Sequence, residues 1–159
     1  MELSINAQAP NFSLPNQDDA EISLQDFSGS WVVLYFYPKD KTPGCTKEAC
    51  DFRDNLLELN GLSAVVLGVS PDSVKSHQSF IEKEKLNFTL LSDSNKNVLK
   101  AYGAWGLKKL YGKEYEGVIR STFILNPQGK IAFMWKNVKV KGHIEAIKEK
   151  LKELQNLPS

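Results

Sequence analysis

The chain has 159 residues, the size of one domain with a substantial core. Hydrophobic residues make up 42% and charged residues 25%, as in ordinary soluble globular proteins. Formal charge is +1, and no apolar run approaches the roughly 20 residues of a membrane span, so neither a nucleic-acid partner nor a membrane is indicated.

The N-terminal Met1-Glu-Leu-Ser-Ile-Asn lacks a basic region followed by an apolar core, so no secretory signal is expected and the expected compartment is cytoplasmic. No linker, repeat or low-complexity segment divides residues 1–159, which are expected to form a single domain. Short β-like pieces fall at Phe12–Leu14 and Glu21–Ser23, joined by the polar turn Pro15-Asn-Gln-Asp-Asp. The apolar run Trp31–Tyr37 predicts a buried strand. Thr42-Pro43 then predicts a helix start, with Thr42 as N-cap and Pro43 at the first helical position. Cys45, Ala49, Phe52, Leu56 and Leu59 recur at spacings of three and four, which predicts one helix running to Gly61.

Ser63–Ser70 predicts a second buried strand. Ser73 caps a helix to about Lys85, with Val74, His77, Phe80 and Ile81 on one side. Phe88–Leu91 predicts a strand, Asn95–Tyr102 a short helix and Gly103–Gly117 a long loop rich in Gly and aromatics. Ser121–Asn126 and Lys130–Trp135 alternate around Pro127-Gln-Gly129 as a hairpin. A final amphipathic helix covers about Gly142–Gln155. This order of elements predicts an α/β fold with a mixed central sheet flanked by helices.

The chain has two cysteines, which in an unsecreted protein points to catalysis or redox sensing rather than a disulfide scaffold. Cys45 falls in the first turn of its helix, facing unpaired N–H groups and the positive end of the helix dipole. Both favour a thiolate. Cys50 follows five residues later. In an unbroken helix such positions have Cα atoms roughly 8–9 Å apart and point about 140° away from each other. A disulfide needs Cα atoms within about 7 Å, so the two can bond only if the first turns unwind. That suits a thiol that reacts first and is resolved afterwards. Lys39, Lys41, Lys47 and Arg53 all lie near Cys45 in the chain, and the residues alone leave open which cation assists it.

Pro38-x-x-x-Thr42-x-x-Cys45 resembles the active-site motif of peroxiredoxins, and Cys45-x4-Cys50 is similar to the peroxiredoxin Q branch, also called bacterioferritin comigratory protein. Ala9-Pro-Asn-Phe-Ser-Leu14, Ala101-Tyr-Gly-x-Trp-Gly106 and Gly117-Val-Ile-Arg-Ser-Thr-Phe123 resemble further segments of that family, in order and spacing. The resemblance implies the thioredoxin-like fold. It selects Arg120 as the cation beside Cys45 and gives Pro38 the task of shielding the cysteine pocket. It further implies a thiol-dependent peroxidase: Cys45 attacks hydrogen peroxide or an organic hydroperoxide, Cys50 resolves the sulfenic acid, and thioredoxin reduces the disulfide. Thr42 is expected to accept from a backbone N–H while donating its hydroxyl to the peroxide. A monomer or weak dimer is expected.

No cofactor or metal is required. His77 and His143 are expected to be solvated or core residues, and two distant histidines with cysteines at this spacing make a poor zinc site. Trp105, Tyr102, Tyr111 and Tyr115 are expected to pack over the site rim. Two other classes are alternatives. A thiol redox sensor would use the same cysteines but react slowly with peroxide. A protein disulfide exchanger predicts Cys-x-x-Cys, which is absent.

Overall fold

A computed structural model of the chain describes residues 3–156. Residues 1 and 2, in the segment expected to lack a signal, and residues 157–159 lie outside the described residues. In chain order the elements are β1 (Ser13–Pro15), β2 (Glu21–Ser23), β3 (Trp31–Phe36), α1 (Pro43–Asp54), α2 (Leu56–Gly61), β4 (Ala64–Ser70), α3 (Val74–Glu84) and β5 (Thr89–Ser92). Then follow α4 (Asn97–Ala101), β6 (Trp105–Leu110), β7 (Lys113–Val118), β8 (Ser121–Leu125), β9 (Ile131–Trp135) and α5 (His143–Gln155).

The main sheet has the order β5-β4-β3-β8-β9. β3, β4 and β5 run parallel, while β8 pairs antiparallel with β3 and with β9. This is the mixed sheet expected from the order of elements. β3 lies at its centre and is buried from Val32 to Phe36, because helices or loops cover both faces. Its alternation sorts the core into two clusters. Val32, Leu34 and Phe36 pack with Phe12, Leu99, Tyr102 and Phe123. Val33 and Tyr35 pack on the other face with Cys45, Ala49, Phe52, Phe80, Ile147 and Leu151.

Two elements differ from the sequence-based expectation. The cysteine helix does not run unbroken to Gly61; it breaks at Asn55. The Asn55 side chain donates to the Asp51 carbonyl at 2.8 Å and accepts from Lys148 Nζ at 2.9 Å. A side chain that bonds local backbone competes with the helical ladder, and Lys148 of α5 holds it there. The expected loop at Gly103–Gly117 is largely an antiparallel hairpin, β6 with β7. Tyr111 and Gly112 both take positive φ, 53° and 77°, the signature of a two-residue turn whose twist matches the strands. Lys and Glu fill the strands, which hides their alternation.

Candidate active site

β3 delivers the chain to Tyr37, and the segment from Pro38 to Thr42 then leaves the sheet and turns into α1. Pro38 is half-buried. Lys41 takes the left-handed conformation, φ 67°, and Thr42 returns to extended geometry as N-cap. The first i→i−4 bond of α1 is Thr46 N–H to Thr42 C=O at 2.8 Å, so the N–H groups of Gly44 and Cys45 belong to the turn that precedes the ladder. Cys45 sits there with its side chain buried against the core.

Arg120, between β7 and β8, reaches this turn from the other side of the sheet's centre. Its Nη2 lies 3.3 Å from Cys45 Sγ. Of the cations left open by the sequence, Lys47 pairs with Asp51, Lys41 with Ser79, and Arg53 with Asp54, while Lys39 is exposed. Among the described residues, Arg120 is the cation that contacts the sulfur. It passes so near the helix start that a Cβ at Gly44 would lie 3.3 Å from Nη2. A side chain there would crowd the guanidinium, which is a physical reason for Gly in Thr-Pro-Gly-Cys.

Arg120 has a second partner that the sequence did not bring forward. Its Nη1 donates to Glu48 Oε1 at 2.5 Å, and Glu48 is only 2% exposed. Burial raises the Glu48 carboxyl from its ordinary 4.5 to about 7, against the opposing pull of Arg120. Glu48 stands three residues after Cys45 on the same helical face, and that spacing was the available signal. His143, at the start of α5, donates to or accepts from Thr122 Oγ1 at 2.8 Å. Burial and then Arg120 lower it to about 4, so it is neutral at physiological pH.

Thr42 does not accept the backbone N–H bond expected of it. Its hydroxyl donates to the Lys39 carbonyl at 2.8 Å. That bond folds the loop back on itself and leaves the oxygen's lone pairs as an acceptor. Cys50 is not brought to Cys45. Both lie in the unbroken stretch of α1, both are free thiols, and Cys50 Sγ faces Glu84 Oε1 at 3.7 Å. Burial and the Glu84 carboxylate raise the Cys50 thiol, with Arg53 opposing.

His77 is fully buried, as a core residue, and it pairs with Asp40 at 2.8 Å. Tyr102 is buried in the core, whereas Tyr111 is 96% exposed and does not pack over a rim. A cavity of about 510 Å³ opens at the far end of β3, against Leu24, Phe27, Val32 and Leu125, with no titratable side chain in its wall. Among the described residues, no group of three or more His, Cys, Asp or Glu is placed to hold a metal, and no helix is long and apolar enough to cross a membrane.

The AhpC/TSA family matches residues 5–134. Peroxiredoxin Bcp of Bacillus subtilis is 45% identical over 154 residues, 97% of this chain and 98% of that protein. Peroxiredoxin Bcp of Escherichia coli is 46% identical, covering 91% of this chain and 93% of its own length. A cysteine-to-serine variant of Xylella fastidiosa PrxQ superposes with a TM-score of 0.92 at 38% identity, over 98% of this chain and 99% of that one. The bacterioferritin comigratory protein of Xanthomonas campestris, studied for alkyl peroxide reduction in trapped intermediate and ligand complexes, superposes at 0.87 with 40% identity, over 95% and 96%. With these neighbours the α/β architecture is the thioredoxin-like fold of peroxiredoxins.

Proposed function

The chain belongs to the AhpC/TSA family, in the peroxiredoxin Q or Bcp branch, and on that footing we propose that it reduces hydrogen peroxide and organic hydroperoxides through Cys45. The observation that carries this is the contact of Arg120 Nη2 with Cys45 Sγ in the first turn of α1. A thiolate there has a permanent cation on one side and helix N–H groups on another. Those same donors suit the oxygen that leaves when the O–O bond breaks.

The Cys45 sulfur attacks one peroxide oxygen. An S–O bond forms, the O–O bond breaks, and the second oxygen departs as water or an alcohol after taking a proton. Arg120 stabilises the charge on both. Thr42 accepts the O–H of the peroxide, because its own hydroxyl hydrogen is engaged by Lys39. Pro38 fixes φ where the chain leaves the sheet and covers the pocket.

Cys50 then attacks the Cys45 sulfenic acid. An S–S bond forms, the S–O bond breaks, and water leaves. Because both cysteines share one helix, this step needs α1 to unwind locally. A dithiol protein, thioredoxin, reduces the disulfide by two exchanges and is itself oxidised. The acting form is a cytoplasmic monomer or weak dimer. A thioredoxin-coupled peroxidase assay with hydrogen peroxide and an organic hydroperoxide tests this. Cys45→Ser should abolish consumption of both, and substantial turnover by that variant would remove Cys45 from the chemistry.

A further inference from the structure

We infer that Asp40 and His77 are positioning residues for the peroxide site: their buried pair fastens the loop from Pro38 to Thr42 onto α3 and β5 and so sets the Thr42 hydroxyl. The inference rests on the assignment of Thr42 and Cys45 to that site. Asp40 lies midway between Pro38 and Thr42 and is 5% exposed, unusual for a loop carboxylate. Its Oδ1 accepts from Tyr37 OH at 2.6 Å. Its Oδ2 accepts from Ser76 Oγ at 2.8 Å and faces His77 Nδ1 at 2.8 Å. Its N–H donates to Asp72 Oδ2 at 2.8 Å.

The far side of His77 fixes the arrangement. Nε2 lies 3.0 Å from the Leu91 carbonyl, which only accepts, so Nε2 carries a hydrogen. One proton lies between Nδ1 and Oδ2. The chain of contacts then runs from β5 through His77 on α3 to Asp40, and from Asp40 two residues on to Thr42. At its end the Thr42 hydroxyl is bonded to Lys39 C=O, inside the same loop. Ser79 of α3 holds Lys41 as well.

Stability is a poor reason for such a pair. Taking two ionisable groups out of water is costly, and apolar side chains of similar volume are often as stable. What the polar pair adds is direction. It gives the loop one seat against α3, independent of the helix that carries Cys45.

The test is a double-mutant cycle, read as the single-turnover rate constant of Cys45 oxidation by hydrogen peroxide below the melting temperature of every variant. Asp40→Ala should slow oxidation on the order of 10–100-fold, the range expected when a reacting group is misplaced by about 1 Å. Asp40→Asn can still accept from Tyr37 and donate to a neutral His77, so it should recover the rate to within about threefold. In a Thr42→Val background, Asp40→Ala should cost less than about threefold, because its effect passes through Thr42. His77→Gln, measured the same way, serves if Asp40→Ala does not fold. A lower melting temperature with an unchanged rate constant, or losses that multiply in full across the cycle, would overturn the inference while leaving the site assignment intact. An unchanged rate in Thr42→Val alone would instead overturn the role of Thr42, and the inference with it.

Discussion

Glu48 offers the sharpest quantitative test of the site's electrostatics. Its carboxyl is raised from 4.5 to about 7 because burial penalises the anion more than Arg120 favours it. That interval, at about 1.4 kcal/mol per pH unit, amounts to about 3 kcal/mol. The folded chain binds the Glu48 proton more tightly than the unfolded chain does. The contribution is therefore fully present below about pH 4.5 and is lost as pH rises through about 7. Glu48→Gln keeps an acceptor for Arg120 Nη1 but cannot ionise. Urea unfolding of the reduced wild-type and variant proteins, at several pH values from 4.5 to 8, isolates the contribution of Glu48, since the other titrating groups are common to both. Wild type should lose about 3 kcal/mol relative to the variant across that range. A difference that stays flat with pH would mean that Glu48 is ionised throughout and that Arg120 faces a buried carboxylate as well as the sulfur.

Arg120→Lys keeps a charge but loses the fork that spans Cys45 and Glu48. Peroxide reduction should fall toward the roughly 10²–10³-fold loss typical of a missing transition-state donor, and a rate equal to wild type would exclude the planar geometry as the reason for arginine. Amide hydrogen exchange before and after peroxide treatment checks the resolving step: the amides from 42 to 54 should lose protection on oxidation while β3, β4 and β8 keep theirs. A 45–50 disulfide found with α1 still protected would contradict unwinding.

The sequence exposed the parts of the fold whose patterns are apolar. β3 and β4 are buried on both faces and read as continuous apolar runs, and α5 as an amphipathic stripe. The β6–β7 hairpin was illegible because Lys and Glu fill it and its turn uses Tyr111, a residue that rarely takes positive φ. The break at Asn55 depends on Lys148, 93 residues away, and no local pattern announces it. In the site, Thr-Pro-Gly-Cys fixed the register of Cys45 locally. Arg120 came through a family resemblance, since a contact across 75 residues has no periodicity to betray it. His77 is expected from the sequence only to be a solvated or core residue, and Asp40 has no reading of its own; the fold alone joins them, 37 residues apart.

The proposed Cys45–Cys50 bond has two fixed points between which α1 can unwind. At one end Asp40 holds the loop on α3. At the other, Asn55 is held by Lys148, and Leu59 is buried just beyond. Unwinding between them must release Arg120 from Cys45 and Glu48, Cys50 and Arg53 from Glu84, and Phe52 from its stack on Tyr35 at 4.5 Å. Exposing Phe52 alone costs about 1.5–3 kcal/mol. Glu48 acts in the opposite direction. Once in water it ionises at its ordinary value, which above pH 7 recovers the penalty of about 3 kcal/mol that burial imposed. In the proposed cycle the attacking thiolate becomes a neutral sulfenic acid, so Arg120 loses one of its two reasons to hold the turn. The carboxylate that anchors Arg120 in the helical state thus offsets the largest apolar cost of leaving it, and the offset grows as pH rises from about 4.5 to about 7.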